Sequence, residues 1–289
     1  MYTAAVSSLW DKIARVSDRA GQLGALVRLD AEDVVVEDGG IPFVVHVSDL
    51  QGYKASAKVE QRRHRDNPFL PPDPELVIDT LPTGHISVLN KFNVLRHHLL
   101  IVTGTFEPQE ALLTVADLDA LVRCMAAGDG LGFYNGGTVA GASQSHKHLQ
   151  LVPLPLGKGP LPTPVDASIP DRLPVGEIAA VTAFPFQHAL VAIDPSAVSR
   201  LAAGELHQIY RRACSSVGVV DESRPYNMLM TRRWMLVVPR SREHWNGVSV
   251  NGLGFAGSLL VQNDDELERL RRTGPVKLLH SVVDGGASS

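Results

Sequence analysis

The chain has 289 residues, 27 basic and 31 acidic, for a formal net charge of −4. Its 44% hydrophobic and 20% charged content excludes general disorder and permits a sizeable core, and the length suggests about two structural units. The weak acidity excludes a bulk nucleic-acid binder, which would carry a basic excess, but leaves a local nucleotide pocket open. Cys124 and Cys214 have no paired neighbour, which excludes a disulfide scaffold and a cysteine-based zinc ribbon. The N-terminus lacks the apolar core of a signal peptide, and no run reaches the roughly 18 apolar residues of a membrane span. The expectation is a cytoplasmic protein with no membrane partner.

Leu9, Ile13 and Val16 are spaced for a helix within the first 20 residues. Two β-branched runs around Asp38-Gly39-Gly40 predict a hairpin. Residues 52–80 combine a basic cluster with prolines 68, 71, 72 and 74, which forbid a helix and favour a solvated surface loop. HISVLNKFNV and HHLLIVT then read as strands. A helix follows, N-capped by Thr114 with Asp117 three residues on, and ends at Gly128 or Gly130. GLGFYN and SHKHLQLVPLP supply two more strands, separated by a glycine-rich loop.

The second half repeats this order. FPFQHALVAID parallels FNVLRHHLLIVT, PYNMLMT parallels GFYNGGT, and RRWMLVVPR parallels HKHLQLVPLP. His98 and His188, Asn135 and Asn227, and Pro153 and Pro239 are offset by 90, 92 and 86 residues. Three matches in order predict an internal duplication, with residues 154–174 as the linker. The halves differ in chemistry, because His146, Lys147, His148 and Gln150 face Arg232, Arg233, Trp234 and Leu236. One working site per chain is expected.

Strand alternation puts His146, His148 and Gln150 on one face, with Lys147, Leu149 and Leu151 on the other. Three polar groups in register on an apolar strand are costly to bury without partners. Satisfied core histidines are one reading. A metal site is another, since His-x-His supplies two ligands, although no further ligands stand nearby. A nucleophilic histidine is the third. The small residues Gly141, Ala142, Ser143 and Gln144 favour it, because their backbone amides could approach an anion closely.

His-Lys-His-Leu-Gln-Leu-Val resembles the histidine-triad signature in its transferase variant, where glutamine replaces the third histidine. With LNKFNVLRHHLLIVT before it and YNMLMTRRWMLVVPR after it, the segment YNGGTVAGASQSHKHLQ resembles the ATP adenylyltransferases, also called diadenosine tetraphosphate phosphorylases. The resemblance runs from about Lys54 to Val261. Galactose-1-phosphate uridylyltransferases, by contrast, usually carry proline between the histidines, where Lys147 and Leu149 stand here.

The resemblance implies an α+β, histidine-triad-like fold with an antiparallel sheet, duplicated into a pseudo-dimer within one monomeric chain. Residues 1–160 would form the catalytic half, and 161–289 a half without the histidines that completes the nucleotide pocket. His148 would be the nucleophile, with His146 and Gln150 beside it and a carbonyl near His146 fixing its tautomer. Substrate contacts carried over are Lys54, Asn90, Lys91, Asn135, Gly141, Ala142, Ser143 and Gln144, with Asn227, Thr231 and Met235 as a second wall. Arg232 and Arg233 could offset polyphosphate charge or cap a hairpin turn. His97, His98 and His188 read as structural, and Trp234 and Trp245 as packing groups.

The implied reaction is phosphorolysis of diadenosine tetraphosphate, with inorganic phosphate as second substrate and an adenylyl-histidine between. No covalently bound cofactor is expected. Magnesium is expected only as a companion of the polyphosphate, since no carboxylate cluster nominates a protein-bound site. A transferase acting on adenylyl sulfate or a sugar nucleotide, and a nucleotide-binding module without turnover, are the alternatives.

Overall fold

A computed structural model of the protein describes residues 8–48 and 67–283. Lys54 and its basic neighbours lie outside the described residues. Helix α1 (Leu9–Gln22) is capped by Ser8 and Asp11 in a reciprocal box and buries Ile13, Ser17 and Ala20, while Leu9 and Val16 pack at the rim. After β1 (Val27–Arg28), β2 (Glu32–Asp38) and β3 (Ile41–Val47) form the expected hairpin. Gly39 and Gly40 turn it, both at positive φ, a conformation that costs glycine little.

The strands β4 (Val77–Thr80), β5 (Ile86–Leu89), β6 (Phe92–Asn93) and β7 (Leu99–Val102) come next. Helix α2 (Val115–Ala127) starts at the Thr114–Asp117 capping box and ends at Gly128, both as the sequence predicts. It is followed by β8 (Gly130–Gly136), β9 (His148–Pro153), β10 (Ile178–Ala179), β11 (Ala189–Ala192), α3 (Ser196–Ser199) and α4 (Ala203–Ser216). The chain closes with β12 (Tyr226–Met230), β13 (Trp234–Pro239), β14 (His244–Trp245), β15 (Val248–Ser249), α5 (Gly252–Phe255), β16 (Ser258–Val261), α6 (Asp264–Thr273) and α7 (Pro275–Val283). Among the described residues, no helix is long and apolar enough to cross a membrane.

A single antiparallel sheet unites the two halves in the order β10-β11-β13-β12-β8-β9-β7-β5-β4. Its centre is the β8–β12 pair, with Asn135 and Asn227 directly opposite one another. Outward from that pair, β9 answers β13 and β7 answers β11, which is the order two like halves would produce.

One face of the sheet packs on α2 and α4 through Leu149, Leu151, Met235 and Val237. Each such side chain contributes about 1.5–3 kcal/mol by leaving water. The other face differs between the halves. Over β11–β13 it carries Leu190, Trp234, Leu236 and Val238, covered by β3, β16, α6 and α7. Over β5, β7 and the start of β9 a small cluster of Val88, Leu100 and Val102 packs with Phe69 and a cavity stays open, while Val152 at the far end of β9 joins the sealed core.

Segment 154–174 is a packed connection rather than a loose linker, because Thr163, Pro164 and Val165 are buried and Asp166 accepts from Trp234 Nε1 at 2.9 Å. His46 ties the N-terminal hairpin to the C-terminal strand. Its Nδ1 lies 2.6 Å from Asp33 Oδ1, and its Nε2 lies 3.0 Å from Ser258 Oγ.

Candidate active site

The alternation predicted along β9 is observed, with Lys147, Leu149 and Leu151 facing the helices and His148 and Gln150 facing the cavity. Lys147 is fully buried, so it must be paired. Its Nζ lies 2.7 Å from Asp117 Oδ2 and 3.2 Å from Glu107 Oε2. Asp117 also caps α2 and accepts from His85 Nε2 at 2.9 Å. Burial would raise its pKa, but the His85 and Lys147 contacts outweigh that and hold it at about 2. The start of α2 is thereby chained to the strand that carries the histidines.

His148 Nδ1 donates to the His146 carbonyl at 2.8 Å, so the neutral ring keeps its proton on Nδ1 and its lone pair on Nε2. Burial lowers its pKa to about 4, which leaves the imidazole neutral at physiological pH. Its backbone N–H donates to Gln109 Oε1 at 2.8 Å, and Gln109 Nε2 donates back to the carbonyls of His148 and Asn135. The Phe69 ring lies 5.2 Å away and covers one side of the imidazole.

Gln150 has a fixed orientation. Asn90 Nδ2 donates to His98 Nδ1 at 3.3 Å, and His98 Nε2 donates to Gln150 Oε1 at 2.8 Å. Burial lowers the His98 pKa to about 4, so this ring has one donor and one acceptor. With Oε1 occupied, the Gln150 amide turns its N–H donors toward the cavity.

The glycine-rich loop closes the third side. Gly141 has φ +90°, and a Cβ there would lie 2.8 Å from Asn251 Cα and Val250 O. Only glycine allows the loop to meet the C-terminal half so closely. The cavity measures about 570 Å³.

The cavity gathers His148, Gln150, Asn90, Lys91, Asn135, Gly141, Ser143 and Gln144, as the motif reading expected. Ala142 is buried beside them without lining it. The other expected site residues sit elsewhere. His146 precedes the strand and its ring is held outside the cavity, Nε2 donating to Thr103 O at 2.9 Å and Nδ1 accepting from Asn67 Nδ2 at 2.9 Å. This also removes it from the metal reading, since both nitrogens are engaged. Asn227 stands behind Asn135 rather than on the cavity wall, and its Nδ2 donates to Asn135 Oδ1 at 2.8 Å.

Thr231 and Met235 do not reach the site. Thr231 Oγ1 caps the β12–β13 turn, accepting from the N–H groups of Arg233 and Trp234, and Met235 faces the helices. The arginine at 232 fastens that turn to Asp129 and the Met125 carbonyl; neither it nor Arg233 lines the cavity.

Several residues of the site were not marked by the motif. His98 has the matched strand position of a structural histidine, yet it orients Gln150. His188, at its counterpart position, does serve structure, donating to Phe186 O and accepting from Val181 N. The segment around prolines 68–74, read as a solvated loop, forms the apolar wall with Phe69. Gln109 and Asn251 carry no sequence signal, because only the fold brings them to β9 and the loop.

Residues 2–171 match the family model described as the Ap4A phosphorylase N-terminal domain, and residues 182–283 the ATP adenylyltransferase C-terminal domain. The chain is 30% identical over 244 residues to diadenosine 5',5'''-P1,P4-tetraphosphate phosphorylase 2 of Saccharomyces cerevisiae, covering 75% of each. It is 26% identical to Protein APA1 of the same yeast, over 68% of this chain and 66% of that protein. Among solved structures, yeast Ap4A phosphorylase Apa2 in complex with AMP superposes with a TM-score of 0.75 at 26% identity, covering 96% of both chains. The Apa2 complex with Ap4A gives 0.76 at 24% identity, covering 96% of this chain and 97% of that one, a likeness of fold. With the family models spanning both halves and the histidine strand in place, the chain belongs to the Ap4A phosphorylase family.

Proposed function

We propose that this protein is an adenylyltransferase that splits diadenosine tetraphosphate with inorganic phosphate, giving ATP and ADP. The observation that carries the reading is His148, whose Nδ1–H is held by the His146 carbonyl while Nε2 has no protein partner among the described residues. The cavity of about 570 Å³ lies in the usual range for small-ligand sites.

In the proposed first step, the Nε2 lone pair attacks the α-phosphorus and the bond to the bridging oxygen of ATP breaks. The positive charge that develops on the adenylylated ring is stabilised by the His146 carbonyl at Nδ1–H. In the second step a phosphate oxygen attacks the same phosphorus, the P–N bond breaks, and ADP leaves with His148 neutral again. A third histidine could protonate a leaving group, whereas Gln150 can only donate a hydrogen bond. That suits ATP, which leaves without needing a proton.

The first half supplies the reacting groups in this proposal, and the second half completes the pocket through Asn251. We assign one site to a monomeric cytoplasmic chain. Magnesium would arrive with the polyphosphate, since no cluster of His, Cys, Asp or Glu that could hold a metal occurs among the described residues. The test is product analysis of diadenosine tetraphosphate incubated with and without phosphate. Beyond a single turnover, ATP and ADP should accumulate in equal amounts and only with phosphate. AMP with ATP, formed without phosphate, would instead mark a hydrolase.

A further inference from the structure

Among the described residues, Arg240 is a buried cation with no carboxylate in ion-pair contact, and Glu243 acts on it only from a distance. Every hydrogen bond its guanidinium makes goes to a neutral oxygen, and it lies over the Phe255 ring at 5.5 Å. Its Nη1 donates to Asn227 Oδ1 at 2.6 Å. Burial pulls its pKa down to about 9, which still leaves it charged at neutral pH. Desolvating a charge this fully is costly, so its place directly behind the glycine-rich loop needs an account.

The orientation of two amides provides one. A guanidinium can only donate, so Asn227 must present Oδ1 to it and Nδ2 to the opposite side. That Nδ2 donates to Asn135 Oδ1 at 2.8 Å and to the Ala140 carbonyl at 2.8 Å. Asn135 Oδ1 also accepts from Gly252 N at 2.9 Å, so the oxygen is fully committed and the Asn135 Nδ2 donors are left for the cavity. Arg240 Nη1 reaches the same Ala140 carbonyl at 3.3 Å, immediately before Gly141.

We infer that Arg240 and Asn227 are positioning residues that set the polarity of the pocket: Arg240 orients Asn227, Asn227 orients Asn135, and Asn135 donates to an oxygen of the bound nucleotide. Neither Arg240 nor Asn227 lines the cavity. The second half thus acts through hydrogen-bond direction, and its buried charge adds a positive potential behind a loop that faces an anion. On the neighbouring strand β9, Asn90 and His98 orient Gln150 in the same sense, also ending in amide donors. Both strands therefore offer donors to an oxygen-rich ligand.

The inference rests on the nucleotide reading of this pocket, and AMP is the probe that separates the two. Asn227→Asp keeps shape and gives Arg240 an ion pair, but replaces the donor facing Asn135 with an acceptor. The Asn135 oxygen then meets an acceptor on one side while the Gly252 N–H still holds it on the other, so the amide loses its single fixed orientation and its donors no longer aim steadily at the cavity. The expected result is a folded variant whose AMP dissociation constant, by calorimetry, rises at least about tenfold. KM for diadenosine tetraphosphate should rise with it, while kcat stays within about threefold.

Wild-type protein that binds no AMP would overturn the nucleotide reading and this inference with it. Wild-type binding with a folded Asn227→Asp variant within twofold of it would overturn the inference alone. A second measurement needs no altered fold, since the Asn135 side-chain amide resonances of the wild-type protein can be assigned by their loss in Asn135→Asp. They should shift on AMP titration, and resonances that stay put at saturation would overturn the inference.

Discussion

Strands β9 and β13 occupy answering positions in one sheet, yet one carries His148 and Gln150 where the other carries Trp234 and Leu236. Their helix-facing residues are alike: Leu149 and Leu151 on β9, Met235 and Val237 on β13. The difference lies in what covers the opposite face. Over β13 the N-terminal hairpin, β16 and the last two helices seal an apolar core. Over β9 the Pro-rich segment stands off from the sheet and leaves a cavity. A polar residue on β13 would be buried without water, whereas His148 keeps one nitrogen facing open space. Coverage of the sheet, more than strand sequence alone, decides which half can do chemistry.

This contrast can be broken most severely at His148. His148→Ala should reduce phosphorolysis by about 10³-fold or more, because it removes the reacting lone pair, with little loss of fold. A variant retaining a few per cent of wild-type turnover would contradict the assignment.

His98→Phe probes the orientation of Gln150. Without the His98 donor the glutamine amide is free to turn over, and kcat/KM should fall roughly 10- to 100-fold, corresponding to the ~1–3 kcal/mol of a misplaced buried hydrogen-bonding group. His188→Phe on the second half should leave kcat/KM unchanged, and a thermal melt of each variant separates folding from activity.

The pH dependence is a subtler probe of the same wall. His98 and His148 both titrate near 4 when folded, below the ordinary 6.5. The unfolded chain therefore binds more protons between about 6.5 and 4, and stability should fall as pH drops through that window. Turnover should hold from neutrality to about pH 5 and decline only toward pH 4, once the imidazole protonates.

The smallest effect is expected on the sealed half. Trp234→Phe retains the apolar ring but loses the bond to Asp166, which should cost about 1 kcal/mol in chemical denaturation. Both kcat and KM should remain at wild-type values.

The elements of the fold were legible where local chemistry decides them. The Thr114–Asp117 box and Gly128 bracket α2, and Gly39-Gly40 turns the hairpin, because caps and turns are set within a few residues. The motif likewise marked His148 and Gln150. Contacts that cross the chain were not legible. The family resemblance implied Thr231 and Met235 at the nucleotide, yet Thr231 caps a turn and Met235 faces the helices. Asn251 reaches the cavity only because the segment before α5 folds back on Gly141. Prolines 68–74 correctly excluded a helix, but nothing in a Pro-rich run says that the sheet will use it as a wall.

The central claim is that His148 itself carries the adenylyl group between two displacements. It is tested most directly by mixing diadenosine tetraphosphate, labelled in both adenosines, with the protein in the absence of phosphate. The account predicts a burst of one ATP per chain, with one acid-labile AMP retained on His148 and released as ADP when phosphate is added. Turnover that requires phosphate from the first event, with no ATP burst and no labelled protein, would contradict it.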